Sequence, residues 1–520
     1  MQPDWTAGYV AEIDYTYGYY RELAPAHLRF ALALRGVAPP SSGPVNYLEL
    51  GFGQGVSVNI HAASNRGSFW GTDFNPNQAA GARALAKAGG NGANLLDDGF
   101  AELLERDDLP KFDFITLHGI WTWVSDKHRE TIVAIIRKHL AVGGAVYMSY
   151  NTLPGWSASM PVRHLMKLHE DIAGSAEQGI QKRIQAAIAF GEQVDNAGAA
   201  YFRQVPGARD RLKGLKDKPA NYLAHEYFNA DWKPMYFADA VRHLETAKLS
   251  FAASSNLLDH IDNVNFSEQS RQMLVGIQNP LLRESTRDFI VNQVFRRDIF
   301  TRGQRLLNMP ERTALLMQSR VALTVLANEV PLKLNAAVGE VNLSPAVYTP
   351  LIEALAADNY RPKRLGELVP VLAPKNINPL QIIQAVTLLV GANHATAAQS
   401  AEEAAAAAPA AQQFNAALLK MAREHTEVMC MASPVLGAGV PVPRLQQMFL
   451  AVLGEQKSKK TPDAAALAKG AWAIMTSIGQ RVVKDGKTLQ SEDENIAQLA
   501  ADAKIFLDRL PLLQALGVAA

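Results

Sequence analysis

Val45-Asn46-Tyr47-Leu48-Glu49-Leu50-Gly51-Phe52-Gly53-Gln54-Gly55 is the stretch that decides how this chain folds. A short apolar, β-prone run meets three glycines at alternate positions, and a helical pattern over residues 56–63 follows. Strand, tight turn and helix N-terminus in that order make a nucleotide cradle. The glycines let the backbone turn through positive φ and leave room for a ligand against the main chain.

The flanking residues narrow the choice of nucleotide. A dinucleotide site needs G-x-G-x-x-G, with the pyrophosphate over the helix N-terminus. Here the spacing is G-x-G-x-G, Val56 stands where the third glycine belongs, and Glu49 precedes Gly51. A carboxylate at that point repels a pyrophosphate and suits a cationic ligand. S-adenosylmethionine has a sulfonium, an ammonium and no phosphate, and the E-x-G-x-G pattern resembles the cofactor loop of class I methyltransferases.

Downstream, strand and helix patterns alternate. Residues 68–73 read as a second strand ending in Asp73, where a carboxylate can take both ribose hydroxyls. Asn75-Pro76 starts a helix. Residues 93–98 read as a third strand. Asp97 and Asp98 end it near an adenine that Phe100 could flank, or serve only as a turn or helix cap. Residues 112–118 form the fourth strand and 145–150 the fifth, with a helix from Ser125 or Asp126 between them. Such alternation predicts a parallel, doubly wound sheet, whose ligand lies at the strand carboxyl ends. Glu49, Asp73, Asp98, His118 and Asn151 all fall at such ends. Residues 157–230 read as helical and interrupt the fold. Strands at 249–253 and 298–301 complete it as the sixth and seventh.

Upstream lie Trp5, Tyr9, Tyr15, Tyr17, Tyr19 and Tyr20. They either pack a terminal helix on the core or close over the cofactor as a lid; tyrosine can do both. His225-Glu226 begins like H-E-x-x-H, but Asn229 stands where the second histidine belongs, so no metal site is expected. Residues 203–218 carry six basic and two acidic residues, a solvated face or a patch for an acidic partner.

The bulk numbers exclude several classes. At 520 residues with 48% apolar content the chain holds several cores. A net charge of +1 gives no field that pulls it to nucleic acid or membrane. Cys430 is the only cysteine, so an internal disulfide and a thiolate metal cage are excluded. No apolar run approaches the ~18 residues of a spanning helix, and residues 1–10 do not read as a signal peptide. A cytoplasmic protein is expected.

Further stretches carry a narrower resemblance. Asp14-Tyr15-Thr16-Tyr17, residues 114–119, Trp123-Val124-Ser125, Tyr150-Asn151-Thr152-Leu153-Pro154-Gly155-Trp156, residues 225–229 and 292–298, and residues 432–437 resemble bacterial methyltransferases with a methyltransferase regulatory domain. The rickettsial protein lysine methyltransferases belong to that group. The resemblance implies an α/β fold: a seven-stranded Rossmann-like sheet with a helical insert, plus mainly α, winged-helix-like C-terminal domains. The expected division is a 1–40 aromatic cap, a 41–156 and 231–305 cofactor-binding core, and a 157–230 insert for regulation or dimerisation. A 306–396 middle domain, a 397–413 alanine-rich linker and a 414–520 C-terminal domain follow. Phe52 stands where relatives have a smaller residue and is expected to narrow the loop around the methionine moiety.

The expected cofactor contacts are Tyr15, Tyr17, Tyr20, Glu49, Gly51, Phe52, Gly53, Gln54, Gly55, Asp73, Phe74, Asp97, Asp98, Gly99, Phe100 and His118. Methyl transfer is an in-line displacement, and a lysine acceptor must be neutral to attack. Trp121, Trp123, Tyr150 and Trp156 could desolvate such an acceptor, with His118 or a tyrosine hydroxyl taking the proton and Asn151 at the strand end; alternatively the tryptophans only pack the core. The absence of N/D-P-P-Y after the fourth strand speaks against adenine methylation. A protein substrate is expected. Methylation of a metabolite or surface glycan, or a non-catalytic regulator binding S-adenosylmethionine, are the alternatives. Partners implied are a protein substrate and a second copy of the chain, without membrane insertion or nucleic acid.

Overall fold

The structure, a computed structural model, describes residues 6, 8–9, 15–175, 178–424, 427–455 and 463–519. Trp5 and Asp14 lie outside the described residues. The nucleotide fold opens with α1 (Pro25–Leu34), β1 (Val45–Leu50), α2 (Val56–Ser64), β2 (Gly67–Thr72) and α3 (Pro76–Gly89). It continues with β3 (Asn94–Leu96), α4 (Phe100–Glu105), β4 (Phe112–Leu117), α5 (Asp126–His139) and β5 (Leu140–Asn151). The helix starts follow local chemistry. Asn75 accepts from the Asn77 amide ahead of Pro76, and Ser125 accepts from the His128 amide.

Five helices interrupt the sheet: α6 (Met160–Ala173), α7 (Gly179–Asn196), α8 (Ala200–Gln204), α9 (Pro206–Lys213) and α10 (Ala220–Tyr227). They close on a core of their own, built from Trp156, Met166, Ile184, Phe202, Leu212 and Tyr227. Then α11 (Phe237–Glu245), β6 (Leu249–Ser254) and β7 (Phe295–Arg302) complete the sheet in the order β3-β2-β1-β4-β5-β7-β6.

The sheet is mixed, where the pattern predicts a parallel one. β1, β2, β3, β4 and β5 run parallel, but β7 lies antiparallel between β5 and β6. Alternation of burial along a strand reports which faces are covered and says nothing of direction. Direction follows from the connection, and the helical segment after β6 returns the chain the opposite way.

Residues 397–413, expected as an alanine-rich linker, helical or disordered, finish a strand and open a helix. Ala395–Ala398 pairs with Arg320–Leu323 in a three-stranded sheet, and Ala401–Glu424 is one continuous helix. Alanine is the best helix former, and its small side chain lets this helix lie close on α2 and α3. The Phe414 ring is fully buried against Gly89 at the end of α3. Every residue of α2 is buried, because the sheet covers one side and the C-terminal region the other. The last segment adds the hairpin Cys430–Ser433 with Ala438–Pro441 and three more helices, ending with Glu492–Ala515. Among the described residues no helix is long and apolar enough to cross a membrane.

Candidate active site

Gly51, Gly53 and Gly55 all adopt left-handed backbone, at φ of +69°, +58° and +70°. Space excludes a side chain as well at two of them. A Cβ on Gly51 would fall 2.3 Å from Ile120 Cδ1, and one on Gly55 would fall 2.4 Å from Ala82 Cβ. Gly55→Ala is therefore expected to destabilise the fold by about 2–4 kcal/mol, as read from urea melts. Adding Ala82→Gly relieves the collision but not the dihedral, so it should restore only part of the loss.

The loop leaves β1 beside Glu49, whose side chain is 4% exposed. Tyr47, two residues earlier on the same strand face, donates its hydroxyl to Glu49 Oε2 at 3.2 Å, and Thr116 Oγ1 donates to the Tyr47 hydroxyl at 2.8 Å. Among the described residues no lysine or arginine pairs with Glu49; burial drives its carboxyl up to about 8, and the Tyr47 bond only partly opposes this. Asp73, at the end of β2, accepts the Gly53 amide at 2.8 Å and the Asn75 amide at 3.0 Å. Burial raises it to about 6 against those two bonds.

Beyond β3 the acids part company. Asp97 is exposed and held by Arg83 at 2.6 Å, which keeps its carboxyl below the usual range. Asp98 pairs with Arg106 at 3.0 Å, and its carbonyl receives the Thr72 hydroxyl. Gly99 leads into α4, with its amide on Glu102, and Phe100 is partly buried beside His128. Phe52 turns away from the cradle. Its ring packs against Gly71 within the core that also holds Tyr47, Phe69 and Leu95, so it does not narrow the loop as expected. The glycine opposite it on β2 leaves the room that a bulky side chain needs.

The aromatic segment lies across the loop. Tyr15 reaches within 3.3 Å of the position a Gly53 Cβ would take, its carbonyl accepts from Gln54 Nε2, and its hydroxyl bonds that of Tyr20. The Tyr20 amide donates to Ser57 Oγ at 3.0 Å on the first turn of α2, and the Tyr20 ring stacks on His118 with centroids 3.8 Å apart. Tyr9 packs edge-on to Phe74 at 5.7 Å. Tyr17 is exposed. The lid and packing alternatives are thus split by residue. Tyr19 instead points to the C-terminal hairpin, its hydroxyl between the Gly439 amide and His61.

His118 sits between Tyr20 and Tyr147, with Nδ1 at 2.8 Å from the Tyr147 hydroxyl. Burial lowers its pKa to about 4, so it is neutral and weakly basic. Moving a proton to it from an amine of pKa about 10.4 would cost roughly 9 kcal/mol.

The four-ring pocket does not form. Trp121 is fully buried in the core under β4 and β5, with Nε1 on the Met235 sulfur at 3.1 Å. Tyr150 is buried in the same core and donates to Asp298 Oδ2 at 2.8 Å. Trp156 belongs to the insert's core, under the Arg211 guanidinium at 4.4 Å. Trp156 lies in a different core from Trp121 and Tyr150, so the rings do not line one hollow. Trp123 and Asn151 are buried as well, and among the described residues Trp123 Nε1 and Asn151 Nδ2 have no hydrogen-bond partner.

A family model described as "Methyltransferase domain" matches residues 48–144, which hold β1 to β5 and the glycine loop. A second, "Predicted methyltransferase regulatory domain", matches residues 219–302. An uncharacterised protein of Synechocystis sp. is 38% identical over 518 residues, covering 99% of both chains. The chain belongs to the class I S-adenosylmethionine-dependent methyltransferases that carry a methyltransferase regulatory domain. An uncharacterised Rickettsia prowazekii protein is 25% identical over 228 residues, 44% of this chain and 89% of its own. The methyltransferase also shares its fold with PKMT2 from Rickettsia typhi, solved in complex with AdoHcy, at a TM-score of 0.71 and 18% identity over 97% of this chain and 100% of that one.

The residues of the methyltransferase fit its cofactor. Glu49 is a buried carboxyl that accepts from Tyr47 and pairs with no lysine or arginine among the described residues, as a cationic ligand requires, and the loop offers no lysine or arginine for phosphate. Sequence reasoning missed two residues here. Tyr47 was readable from its same-face spacing with Glu49. His225 was readable only as half of a discarded metal motif, yet it comes to this site: its ring packs on Tyr9 at 5.4 Å and on Tyr15 at 5.1 Å.

Proposed function

We propose that this methyltransferase modifies lysine side chains of a protein. The observation that carries the reading is the charge of the site. Glu49 and Asp73 are carboxylates raised by burial beside a roof of tyrosines, and such a site selects cations over neutral or anionic acceptors. The large accessory region packed on α2 and α3 favours a macromolecular acceptor over a metabolite, which needs only a pocket.

In this reading Glu49 holds the ammonium of the cofactor's methionine moiety, Asp73 the ribose hydroxyls, and Asp98 the adenine edge, with the backbone of Gly51 and Gly53 against the ligand. S-adenosylmethionine supplies an electrophilic methyl group. The protein's part is to exclude water, orient the acceptor and remove its proton. His118, stacked under Tyr20 and anchored by Tyr147, holds the floor beside β4 as a neutral ring. The reading includes a cytoplasmic location and a homodimer through the helical insert, which light scattering would report.

Tritiated S-adenosylmethionine added with the enzyme to a lysate of a deletion strain tests it. The expected result is a labelled protein whose acid hydrolysate contains methyl-lysine. Label confined to small molecules would overturn the reading in favour of a metabolite acceptor. No label despite tight cofactor binding would make the protein a regulator.

A further inference from the structure

We propose that the cavity at the β6 edge of the sheet binds a small amino acid as its zwitterion, the ammonium donating to Asp288 Oδ2 and His260 Nδ1 and the carboxylate meeting Arg35 at the mouth. In the sheet order β4, β5 and β7 lie between this edge and the glycine-loop strand, so the site is separate from the methyl-transfer centre and does not depend on what the methyl acceptor is.

The cavity measures about 270 Å³ and is walled by β6, the start of β7, the Pro280–Val291 helix and residues 335–337. One water needs roughly 10–15 Å³ of such space, so a small molecule fits. Most of the wall falls within residues 219–302, the stretch matched by the regulatory-domain model. Two polar atoms in the wall are buried and have no hydrogen-bond partner among the described residues. The first is on Asp288, which is 3% exposed. Its Oδ1 accepts from Arg296 Nη1 at 2.5 Å, and its Oδ2 is the unpartnered atom. The second is on His260, whose Nε2 lies 2.7 Å from the Ser254 carbonyl. A carbonyl only accepts, so the ring carries its proton on Nε2 and Nδ1 is left as an acceptor. Burial lowers this histidine to about 3, which keeps the ring neutral. Buried acceptors without a donor are rare in folded proteins, and here two line one cavity.

Charge narrows the occupant. The wall holds three acids, Asp259, Glu284 and Asp288, and three arginines, Arg35, Arg287 and Arg296. Such a balance suits a molecule that has no net charge but carries both signs. The arginines set its orientation. Arg296 is engaged by Asp288 and Asp298, and Arg287 by Asp262 at 2.8 Å, with its guanidinium over the Phe266 ring at 4.5 Å. Arg35, the residue after α1, is exposed and has no ion pair among the described residues. An anionic group thus meets its partner at the mouth, and a hydrogen-bond donor meets its partners inside. Water can satisfy the two acceptors, but it makes no use of the unpaired guanidinium. Phe251, Val264 and Val291 add apolar wall for a side chain.

The test titrates the common L-amino acids, one at a time, into the full-length enzyme saturated with AdoHcy and follows the heat. At least one with an apolar side chain should bind, at one site per chain. N-acetylation of that amino acid removes the ammonium, and Arg35→Gln removes the partner of its carboxylate. Each should weaken binding at least tenfold, while AdoHcy affinity in Arg35→Gln changes less than twofold. Asp288→Asn leaves an oxygen for Arg296 and turns an amide nitrogen towards the ammonium, so a similar loss is expected. If that variant does not fold, the N-acetyl compound reads the same contact. No binding by any amino acid means that the cavity holds water only, and overturns the proposal. Binding indifferent to Arg35→Gln, to Asp288→Asn or to N-acetylation overturns it too. So does an amino acid that binds only when AdoHcy is left out, which would place it in the methionine part of the cofactor site.

Discussion

Glu49→Gln is expected to weaken S-adenosylmethionine binding about 100-fold and, at the same time, to make the ligand-free protein more stable at alkaline pH. The first effect follows from removing one partner of a buried charge pair, which costs about 3 kcal/mol or more. The second follows from the raised carboxyl. A buried acid with a pKa of about 8, against 4.5 when exposed, binds its proton more tightly folded than unfolded. Its favourable contribution is complete below pH 4.5 and is lost as the pH rises through 8. The wild type thus carries a penalty on the order of 3–5 kcal/mol above pH 8 that glutamine lacks. Thermal melts of the two proteins at pH 5 and pH 9 read the difference directly: similar stability at the lower value, a more stable variant at the higher.

The same group predicts how cofactor affinity responds to pH. If binding displaces the proton on Glu49, wild-type affinity rises with pH between about 6 and 7.5, below the range where the ligand's own amine titrates near 7.7–8.0. Calorimetry in buffers of different ionisation heat should show a proton released on binding by the wild type and none by Glu49→Gln. A Glu49→Gln variant that binds S-adenosylmethionine as tightly as the wild type would end the assignment.

Phe414→Ala should cost about 3–5 kcal/mol of stability, although residue 414 lies far in sequence from the cofactor loop. Its ring is fully buried where the Ala401–Glu424 helix meets Gly89 of α3. The same interface seats α2, the helix that follows the glycine loop and is buried on every side. The loss should therefore appear in urea melts followed by either the core's or the C-terminal region's signal, as one shifted transition. Two separate transitions, with the core unmoved, would show that the C-terminal region is a loose appendage. By the same argument, a fragment ending at residue 400 should expose α2 and aggregate.

How much could be read from the residues is clearest element by element. The glycine loop, the acids at 49 and 73 and the alternation from β1 to β5 depend on neighbours in sequence, and each stands in the structure where its pattern places it. The caps at Asn75 and Ser125 are of the same kind. Other expectations needed information no local pattern holds. Trp121, Tyr150 and Trp156 were grouped because they are aromatic and near the strand ends, but Trp121 and Tyr150 are buried in the core under β4 and β5 and Trp156 in that of the insert. An alanine run is equally compatible with a free linker and a tightly docked helix. The difference is made by α2 and α3, which need a cover.

By itself, then, the amino-acid order determined the glycine loop and the acids around it. Positive φ and strand ends are properties of a few adjacent residues. Only the tertiary structure decided which aromatic rings gather at the glycine loop, that β7 runs against its neighbours, and that His225 from the insert meets Tyr9 and Tyr15 from the N-terminal segment. Those outcomes depend on which distant surfaces exclude water from each other, and burial is shared between segments rather than encoded in any one of them.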